Sequence, residues 1–213
     1  MVIQFNTCYH IYNHANGDDN LFREEKNYSF FLEKYRQHID PIAETIAWCL
    51  MPNHFHLLVK IRSEDEVFDN LSTSSSSSKV SNFGRAKEED EEVKRKLLSK
   101  QFANFFSSYT QAFNNMYNRR GSLFIKNFKR KQVEDECYLQ NLILYIHLNP
   151  IKHGFVSLIS EWIPTSYHSF PTEKPTFLTS VFSNEAAYFQ QHADKQRVFK
   201  EYQNIENDLK ISL

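Results

Sequence analysis

The chain has 213 residues, of which 41% are hydrophobic and 15% aromatic, so it suits one folded domain with appendages and is not globally disordered. Its net charge of −1 argues against a nucleic-acid-binding protein until the charge distribution is considered. Residues 64–92 carry nine acidic and three basic side chains, a net charge of −6, which leaves a moderately basic remainder of +5.

Strands and helices alternate in the first half of the chain. Residues 2–12 are rich in β-branched and aromatic types, which predicts a strand. The spacing of apolar residues then predicts a helix over residues 27–39. Residues 44–51 and 54–62 predict two further strands, joined at Pro52 in a hairpin. The order is therefore strand, helix, strand, strand.

The second half of the chain continues this alternation. Apolar spacing predicts a long helix over residues 93–117, followed by a turn at Gly121 and a strand within 118–131. A last helix is predicted over residues 134–149, ending before Pro150. Without that last helix the order is βαββαβ, which indicates an α+β fold of the ferredoxin-like, split βαβ type with an added C-terminal helix. Its antiparallel sheet can present one open face.

Two segments lie outside this core pattern. Residues 63–92 contain a serine run followed by acidic residues, which predicts a flexible insertion. Residues 1–170 form the main domain, and residues 171–213 form a C-terminal extension with a helix predicted over 184–208.

A pair of histidines is the first candidate metal site. His54 and His56 lie two residues apart on a predicted strand, so they point to the same face while Phe55 points into the core. Two imidazoles about 7 Å apart along a strand can converge on one metal ion. The spacing fits equally well two polar residues at an exposed strand end.

A tyrosine on the last predicted helix is the candidate nucleophile. Tyr145 and Asn149 are four residues apart and share one helical face. Tyrosine is a poor nucleophile at neutral pH because its pKa is near 10, so it needs a metal or a base beside it. The Asn149 amide oxygen could act as a third metal ligand. The alternative is a core tyrosine followed by an asparagine at the helix end.

Basic residues are concentrated between these two motifs. Residues 118–131 hold six positive charges and no acid, with Phe124 and Phe128 interleaved. Basic side chains can bind phosphates and aromatic rings can stack on bases, although both phenylalanines also suit core packing. Lys152, just past the tyrosine helix, is another candidate phosphate contact. The predicted DNA-binding residues are Arg119, Arg120, Lys126, Lys129, Arg130, Lys131 and Lys152.

The cysteines and the N-terminus exclude other classes. Cys8, Cys49 and Cys137 are widely spaced without a CxxC pair, so neither a zinc knuckle nor a disulfide framework is indicated. The N-terminus lacks a cationic region followed by an apolar stretch, and no run approaches about 18 apolar residues. We expect a cytoplasmic protein that does not enter a membrane.

Four segments in order resemble one family. They are YHIYNHANGDDNLF (9–22), MPNHFHLLVKI (51–61), GSLFIKNFKRK (121–131) and YIHLNPIKHG (145–154). Together they resemble the HUH single-tyrosine transposases, nearest to the REP-associated tyrosine transposases and related insertion-sequence proteins. The resemblance covers roughly residues 5–170 and is interrupted by 63–92.

The resemblance implies roles for individual residues. It implies that His54 and His56 bind Mg²⁺ or Mn²⁺, that Asn149 completes the metal site, and that Tyr145 is the nucleophile. The implied activity is metal-dependent nicking and strand transfer of single-stranded DNA through a 5′-phosphotyrosine. The family fold is the split βαβ sheet indicated above.

Two other functions stay open. A domesticated relative could bind hairpin DNA or RNA without cutting it, and a ferredoxin-like protein could lack any nucleic-acid role. The presence of His54, His56 and Tyr145 together favours the transposase. The expected partner is single-stranded or hairpin DNA. A monomer and a homodimer that shares its active site between chains both remain open.

Overall fold

A four-stranded antiparallel sheet forms the centre of the fold. The computed structural model describes residues 3–73 and 91–194. The sheet order is β2-β3-β1-β4, and every neighbouring pair is antiparallel. The predicted α+β class with an antiparallel sheet is therefore confirmed. The strands are β1 (Cys8–His14), β2 (Ala43–Met51), β3 (His54–Ile61) and β4 (Lys129–Val133).

Seven α-helices are found in the described part of the chain. None of them combines the length and the apolar character needed to cross a membrane. A short 3₁₀ turn (Ile159–Glu161) follows the fourth helix. The helices are α1 (Glu25–Ile39), α2 (Glu64–Thr73), α3 (Glu91–Met116), α4 (Glu136–Lys152), α5 (Phe170–Glu173), α6 (Pro175–Phe182) and α7 (Glu185–Ala193).

Helices α1 and α3 cover one face of the sheet. Alternation along β3 sends Phe55 and Leu57 to this face, where both are buried. Phe31 on α1 packs against Phe105 and Tyr109 on α3, with ring centroids 4.9 and 5.1 Å apart. The aromatic residues that are so abundant in the sequence therefore fill this core, as aromatic side chains of large buried area commonly do.

The opposite face of the sheet is also covered, so the expected open face is wrong. Every residue of α4 from Leu142 to Pro150 is buried, and Leu58 and Cys49 of the sheet belong to the same apolar cluster. Phe170 and Tyr188 from the C-terminal helices complete it. The physical reason is that a helix apolar on nearly all sides must be buried on all sides. The sheet covers one side of α4 and the C-terminal helices cover another.

The predicted flexible insertion begins with an ordered helix. Residues 64–73 form α2, and Val67 on it is fully buried in the core beneath α1 and α3. Glu66 accepts hydrogen bonds from the backbone and the hydroxyl of Ser63, which satisfies groups at the helix start. The flexible prediction is therefore wrong for residues 64–73. Residues 74–90, with the serine run, lie outside the described residues.

The fourth strand begins later in the chain than the sequence predicted. It spans Lys129–Val133, while residues 118–128 form a loop. Asn118, Gly121 and Asn127 have positive φ angles of 48°, 89° and 65°, which are incompatible with a continuous strand. The strand can therefore begin only after Asn127.

The last predicted helix is longer than expected. Helix α4 continues through Pro150 to Lys152, because a proline near the end removes only one hydrogen bond. Gly154, with φ of 72°, ends the helix, and the Phe155 N–H donates to the Pro150 carbonyl at 2.9 Å. At the other end, the Asp135 side chain accepts from the backbone N–H of Cys137 and Tyr138, in agreement with the predicted start.

The C-terminal part forms short helices instead of one long one. The helix predicted over 184–208 is observed as α7 (Glu185–Ala193), and residues 195–213 lie outside the described residues. Helices α5 and α6 were not expected from the sequence. All three helices contribute buried side chains to the cluster around α4, including Phe170, Phe182 and Tyr188.

We expect Phe55→Ala to lower the free energy of unfolding by about 3–5 kcal/mol, because it leaves a cavity under α1 and α3. Phe155→Ala is the control, since Phe155 is 42% exposed and its truncation should cost less than about 0.5 kcal/mol. Urea denaturation followed by circular dichroism measures both. Equal losses for the two variants would contradict this assignment of the core.

Candidate metal and nucleophile site

His54 and His56 lie side by side on the face of the sheet that α4 covers. Their relative exposures are 3% and 1%, so neither is the exposed strand-end residue of the alternative interpretation. Their ring centroids are 5.4 Å apart. Across the β1–β3 pairing, His54 is opposite His14 and His56 is opposite Tyr12. A buried polar patch therefore lies in the middle of an otherwise apolar layer.

Hydrogen bonds determine which ring nitrogen of each histidine is available. The His54 Nδ1 donates to the Asn53 Oδ1 at 2.7 Å, because an amide oxygen can only accept. The His54 Nε2 therefore carries a lone pair. The His56 Nδ1 shares a hydrogen bond of 2.9 Å with the His10 Nε2. In both histidines Nδ1 is engaged, which leaves Nε2 for a further contact.

Helix α4 places three polar residues against this pair. Tyr145, Asn149 and His153 are spaced four residues apart and so share one face. The Tyr145 ring contacts the His56 ring at 5.4 Å, and the His153 ring contacts the His54 ring at 4.8 Å. Asn149 lies on the helix between these two contacts, one turn from each.

The Asn149 side chain has one satisfied and one unsatisfied end. Its Nδ2 donates to the Tyr145 carbonyl at 2.9 Å. Its Oδ1 is buried and has no hydrogen-bond partner among the described residues. A buried amide oxygen without a partner is rare, and its lone pairs could bind a metal ion or accept a hydrogen bond.

These donors fit a divalent metal. Two imidazole nitrogens and one unpartnered amide oxygen form a mixed set that divalent ions such as Mn²⁺ accept, and the remaining positions would be open. In residues 3–73 and 91–194, no group of three His, Cys, Asp or Glu side chains has a metal-binding arrangement. A site with three protein ligands among these residues would need another residue type, such as the Asn149 amide.

The environment of Tyr145 keeps its hydroxyl protonated. Burial raises the pKa of Tyr145 well above its usual value near 10, and a hydrogen bond from the Asn149 side chain opposes that rise. The Lys152 Nζ lies 5.8 Å from the centre of the Tyr145 ring. Lys152 is affected by the same environment, since burial lowers its pKa as well.

The histidines of the site are neutral. Burial, together with the neighbouring His14, His153 and Lys152, lowers the pKa of His54 to about 2. Burial likewise lowers the pKa of His10 to about 3 and that of His56 well below its usual value. Neutral imidazole is the form that binds metals, so the site needs no proton release before a metal enters.

The predicted DNA-binding residues fall into three groups. Lys129 and Lys131 pair with Tyr12 and His10 across β1, so they lie on the face of the sheet that holds the histidines. Arg130 alternates to the other face, with its guanidinium 5.3 Å from the Phe128 ring. Arg120 and Lys126 are exposed in the loop before β4.

Arg119 has a structural role in the same loop. Its Nε donates to Asp19 at 2.5 Å, and its other nitrogens donate to Asn114 and to the carbonyls of Gly121 and Ser122. An arginine with its donors engaged in this way is not available for a phosphate. Phe124 is buried and Phe128 is half-buried, so both pack instead of stacking on bases.

Strand β1 supplies site residues that the sequence interpretation missed. His10, Tyr12 and His14 alternate along β1 and lie on the histidine face, and the His14 ring stacks on the His54 ring at 4.4 Å. The two-residue spacing was visible in the sequence, but only the β1–β3 register shows on which face of the sheet these three residues lie. The buried His147, on the far side of α4, shares hydrogen bonds with Ser166 and His192 instead of joining this site.

Comparisons with known proteins agree with the resemblance. A curated relative from Haemophilus influenzae (strain ATCC 51907 / DSM 11121 / KW20 / Rd), described as a "Putative REP-associated tyrosine transposase", is 26% identical over 127 residues. The resemblance to the REP-associated tyrosine transposases is confirmed. The match spans 59% of this chain and 59% of the relative, which is less than two thirds of that protein.

Two further comparisons complete the findings. No family model matches the chain. A solved structure described as a REP-associated tyrosine transposase bound to a REP hairpin covers 79% of this chain and 81% of its own, with 18% identity and a TM-score of 0.49.

We expect the metal-free protein to lose stability as the pH falls from 7 to 5. In the unfolded chain His54 titrates near ~6.5, whereas in the folded chain its pKa is about 2. The unfolded chain therefore binds the proton first, so the stabilisation is present above about pH 6.5 and declines below it. Replacing His54 by Asn should reduce this loss by about 2 kcal/mol.

Urea unfolding in EDTA at the two pH values measures the difference. The parent protein at the same pH values is the control. A loss of stability in His54→Asn as large as that of the parent would mean that His54 is not buried in its neutral form.

Proposed function

We propose that this protein is a metal-dependent nuclease and strand transferase that acts on single-stranded DNA, as tyrosine transposases do. The carrying observation is that the Tyr145 ring of α4 contacts the His56 ring at 5.4 Å, with the His54 ring beside His56. Segments almost ninety residues apart in sequence meet there, in a layer that is otherwise apolar. The confirmed resemblance to REP-associated tyrosine transposases supports the same function.

The chemistry follows from the residues present. The Tyr145 oxygen attacks the scissile phosphorus, the bond to the 3′ oxygen breaks, and the phosphate remains on Tyr145 as a 5′-phosphotyrosine. The phenol loses its proton and the leaving 3′ oxygen gains one. A metal ion held by His54, His56 and Asn149 would neutralise charge on the phosphate. Attack by another 3′-hydroxyl reverses the step, so no nucleotide cofactor is needed.

Burial of Tyr145 sets a requirement for this reaction. Its relative exposure is 1%, and a DNA phosphate cannot reach a fully covered hydroxyl. Part of the chain must therefore move when DNA binds. Binding energy from the DNA backbone would supply the cost of that movement, since remote contacts can drive an induced fit.

Lys129 and Lys131 are the best candidates for backbone contacts near the site. Both lie on the histidine face of β4, which is the edge strand of the sheet. The Lys131 Nζ lies 4.9 Å from the Tyr138 ring centre on α4, so this lysine spans the junction of sheet and helix. Lys152 is beside Tyr145 itself. These three lysines would guide a phosphate toward the nucleophile.

The proposal also includes the fold, the cellular location, the substrate and the assembly of the protein. The strand order, with α1 between β1 and β2 and with α2 and α3 between β3 and β4, suits the ferredoxin-like arrangement expected from the resemblance. We keep the cytoplasm as the expected location and single-stranded or hairpin DNA as the substrate. A homodimer that shares the tyrosine helix stays an alternative to an active site within one chain.

One observation favours the second candidate, a hairpin-binding protein that does not cut. The site is closed, and a cavity of about 360 Å³ lies elsewhere, between α1, β2 and the C-terminal helices. None of the predicted catalytic or metal residues lines that cavity. A relative that has lost cutting could keep its closed histidine site and bind DNA through its basic loop.

We expect Tyr145→Phe to abolish a covalent protein–DNA adduct. The parent, incubated with Mn²⁺ and labelled hairpin-bearing single-stranded DNA from its own genomic neighbourhood, should form an adduct that survives a denaturing gel. Loss of the only attacking oxygen should remove it completely. Tyr138→Phe, seven residues earlier on the same helix, should retain the covalent adduct.

The metal ligands have a separate signature. His54→Ala and His56→Ala should reduce cleavage by at least about 10³-fold and leave DNA binding largely intact, because charge neutralisation at the phosphate is lost. An adduct in Tyr145→Phe would refute the nucleophile. Binding by the parent without any adduct would favour the hairpin-binding protein.

Lys129→Ala and Lys131→Ala should each weaken single-stranded DNA binding. Each should also reduce the slope of log affinity against log salt by about 0.7, the value for one phosphate contact on a single strand. Arg36→Ala is the control, because Arg36 is exposed on α1 at the other face of the sheet. Fluorescence anisotropy at several salt concentrations measures the slopes. Equal slopes for all variants would exclude this surface.

A further inference from the structure

His10 is a fully buried histidine for which the proposed reaction has no use. It lies on β1, opposite Leu58 and Lys131 in the two neighbouring strands. Its exposure is 0%, and its Nε2 is 2.9 Å from the His56 Nδ1. Burial of a second polar ring costs free energy, and the hydrogen bond to His56 offsets that cost at only one of the two nitrogens.

We propose that His10 is a positioning residue that orients His56 for metal binding and accepts the His56 Nδ1 proton when a metal occupies the Nε2 side. This inference rests on the metal site of the proposed function. Only one proton can lie between the two nitrogens, so one ring donates and the other accepts. When His56 donates from Nδ1, its Nε2 carries the lone pair that a metal needs. When His10 donates, the His56 Nε2 holds a proton and cannot bind a metal.

The second histidine of the pair shows the same arrangement with a different partner. The His54 Nδ1 donates to the Asn53 Oδ1 at 2.7 Å, which leaves its Nε2 unprotonated. A partner on the nitrogen away from the metal commonly orients a ligating histidine and raises its basicity. Asn53 does this for His54 from the turn, and His10 does it for His56 from the adjacent strand.

The other ring nitrogen of His10, Nδ1, does not prevent the form in which His56 donates and His10 accepts. The His10 Nδ1 is buried and has no hydrogen-bond partner among the described residues. No other protein group therefore fixes which nitrogen of His10 carries its proton. The state of the pair is set at the other end, by whatever binds the His56 Nε2. A metal ion at that nitrogen selects the form in which His10 accepts.

Mn²⁺ binding measures this role without any DNA reaction. His10→Phe keeps a ring of similar size but cannot accept a hydrogen bond, and its dissociation constant for Mn²⁺ should rise about 10–100-fold in titration calorimetry. His10→Gln can present an amide oxygen near the position of Nε2 and should bind Mn²⁺ about as well as the parent. Equal weakening in both variants would overturn the proposal, since it would indicate a purely steric role.

His192→Phe is the matched control. His192 is also a buried histidine that shares a hydrogen bond with another histidine, His147, but it lies among the C-terminal helices. Its replacement should lower thermal stability and leave Mn²⁺ affinity unchanged. A loss of affinity equal to that of His10→Phe would show a general effect of instability and would overturn the proposal.

Mn²⁺ binding distinguishes a failure of the metal site from a failure of the His10 role. If the parent binds Mn²⁺ and His54→Ala does not, the metal site stands; unchanged affinity in His10→Phe then overturns only the role of His10. If the parent binds no Mn²⁺, both the metal site and the role of His10 fall.

Imidazole ¹⁵N chemical shifts of the Mg²⁺-loaded parent provide a test that needs no variant to fold. The shifts should place the shared proton on the His56 Nδ1. A proton on the His10 Nε2 in that state would overturn the proposal.

Discussion

The alternation of side chains along β3 is the constraint on which the other features depend. Phe55 points into the core under α1 and α3, while His54 and His56 point toward α4. A shift of one residue in the register would exchange these faces, bury the imidazoles in the aromatic core and separate them from Tyr145. The apolar packing of Phe55 therefore holds the histidines at their place in the opposite layer.

Helix α4 is the partner of this strand. Its sequence is apolar on most sides, so it must be enclosed, and the C-terminal helices enclose it where the sheet does not. Its polar residues at positions 145, 149 and 153 all lie on the side that contacts the histidines. Tyr145 and Asn149 are buried and His153 is half-buried, and the Asn149 Oδ1 has no hydrogen-bond partner among the described residues.

The histidines and Tyr145 therefore already lie together without metal or DNA, but the surrounding protein covers them. Neutral histidines and a protonated Tyr145 are the stable forms in a layer that excludes water. A metal ion and a DNA phosphate would change this balance together, because the negative charge of the phosphate would be offset by the metal ion and by Lys152. The close placement of the two histidines and the burial of Tyr145 are thus consequences of the same packing.

The sequence by itself determined the alternating strand, the basic segment and the helix with Tyr145 and Asn149, because periodicity and charge are local properties. Tertiary structure decided the rest. The register of β1 on β3 brought His10 and His14 to the site, and the apolar surface of α4 closed the face expected to be open. The ion pair of Arg119 with Asp19 removed one predicted phosphate contact. Each of these depends on contacts between residues far apart in the chain, which local patterns do not encode.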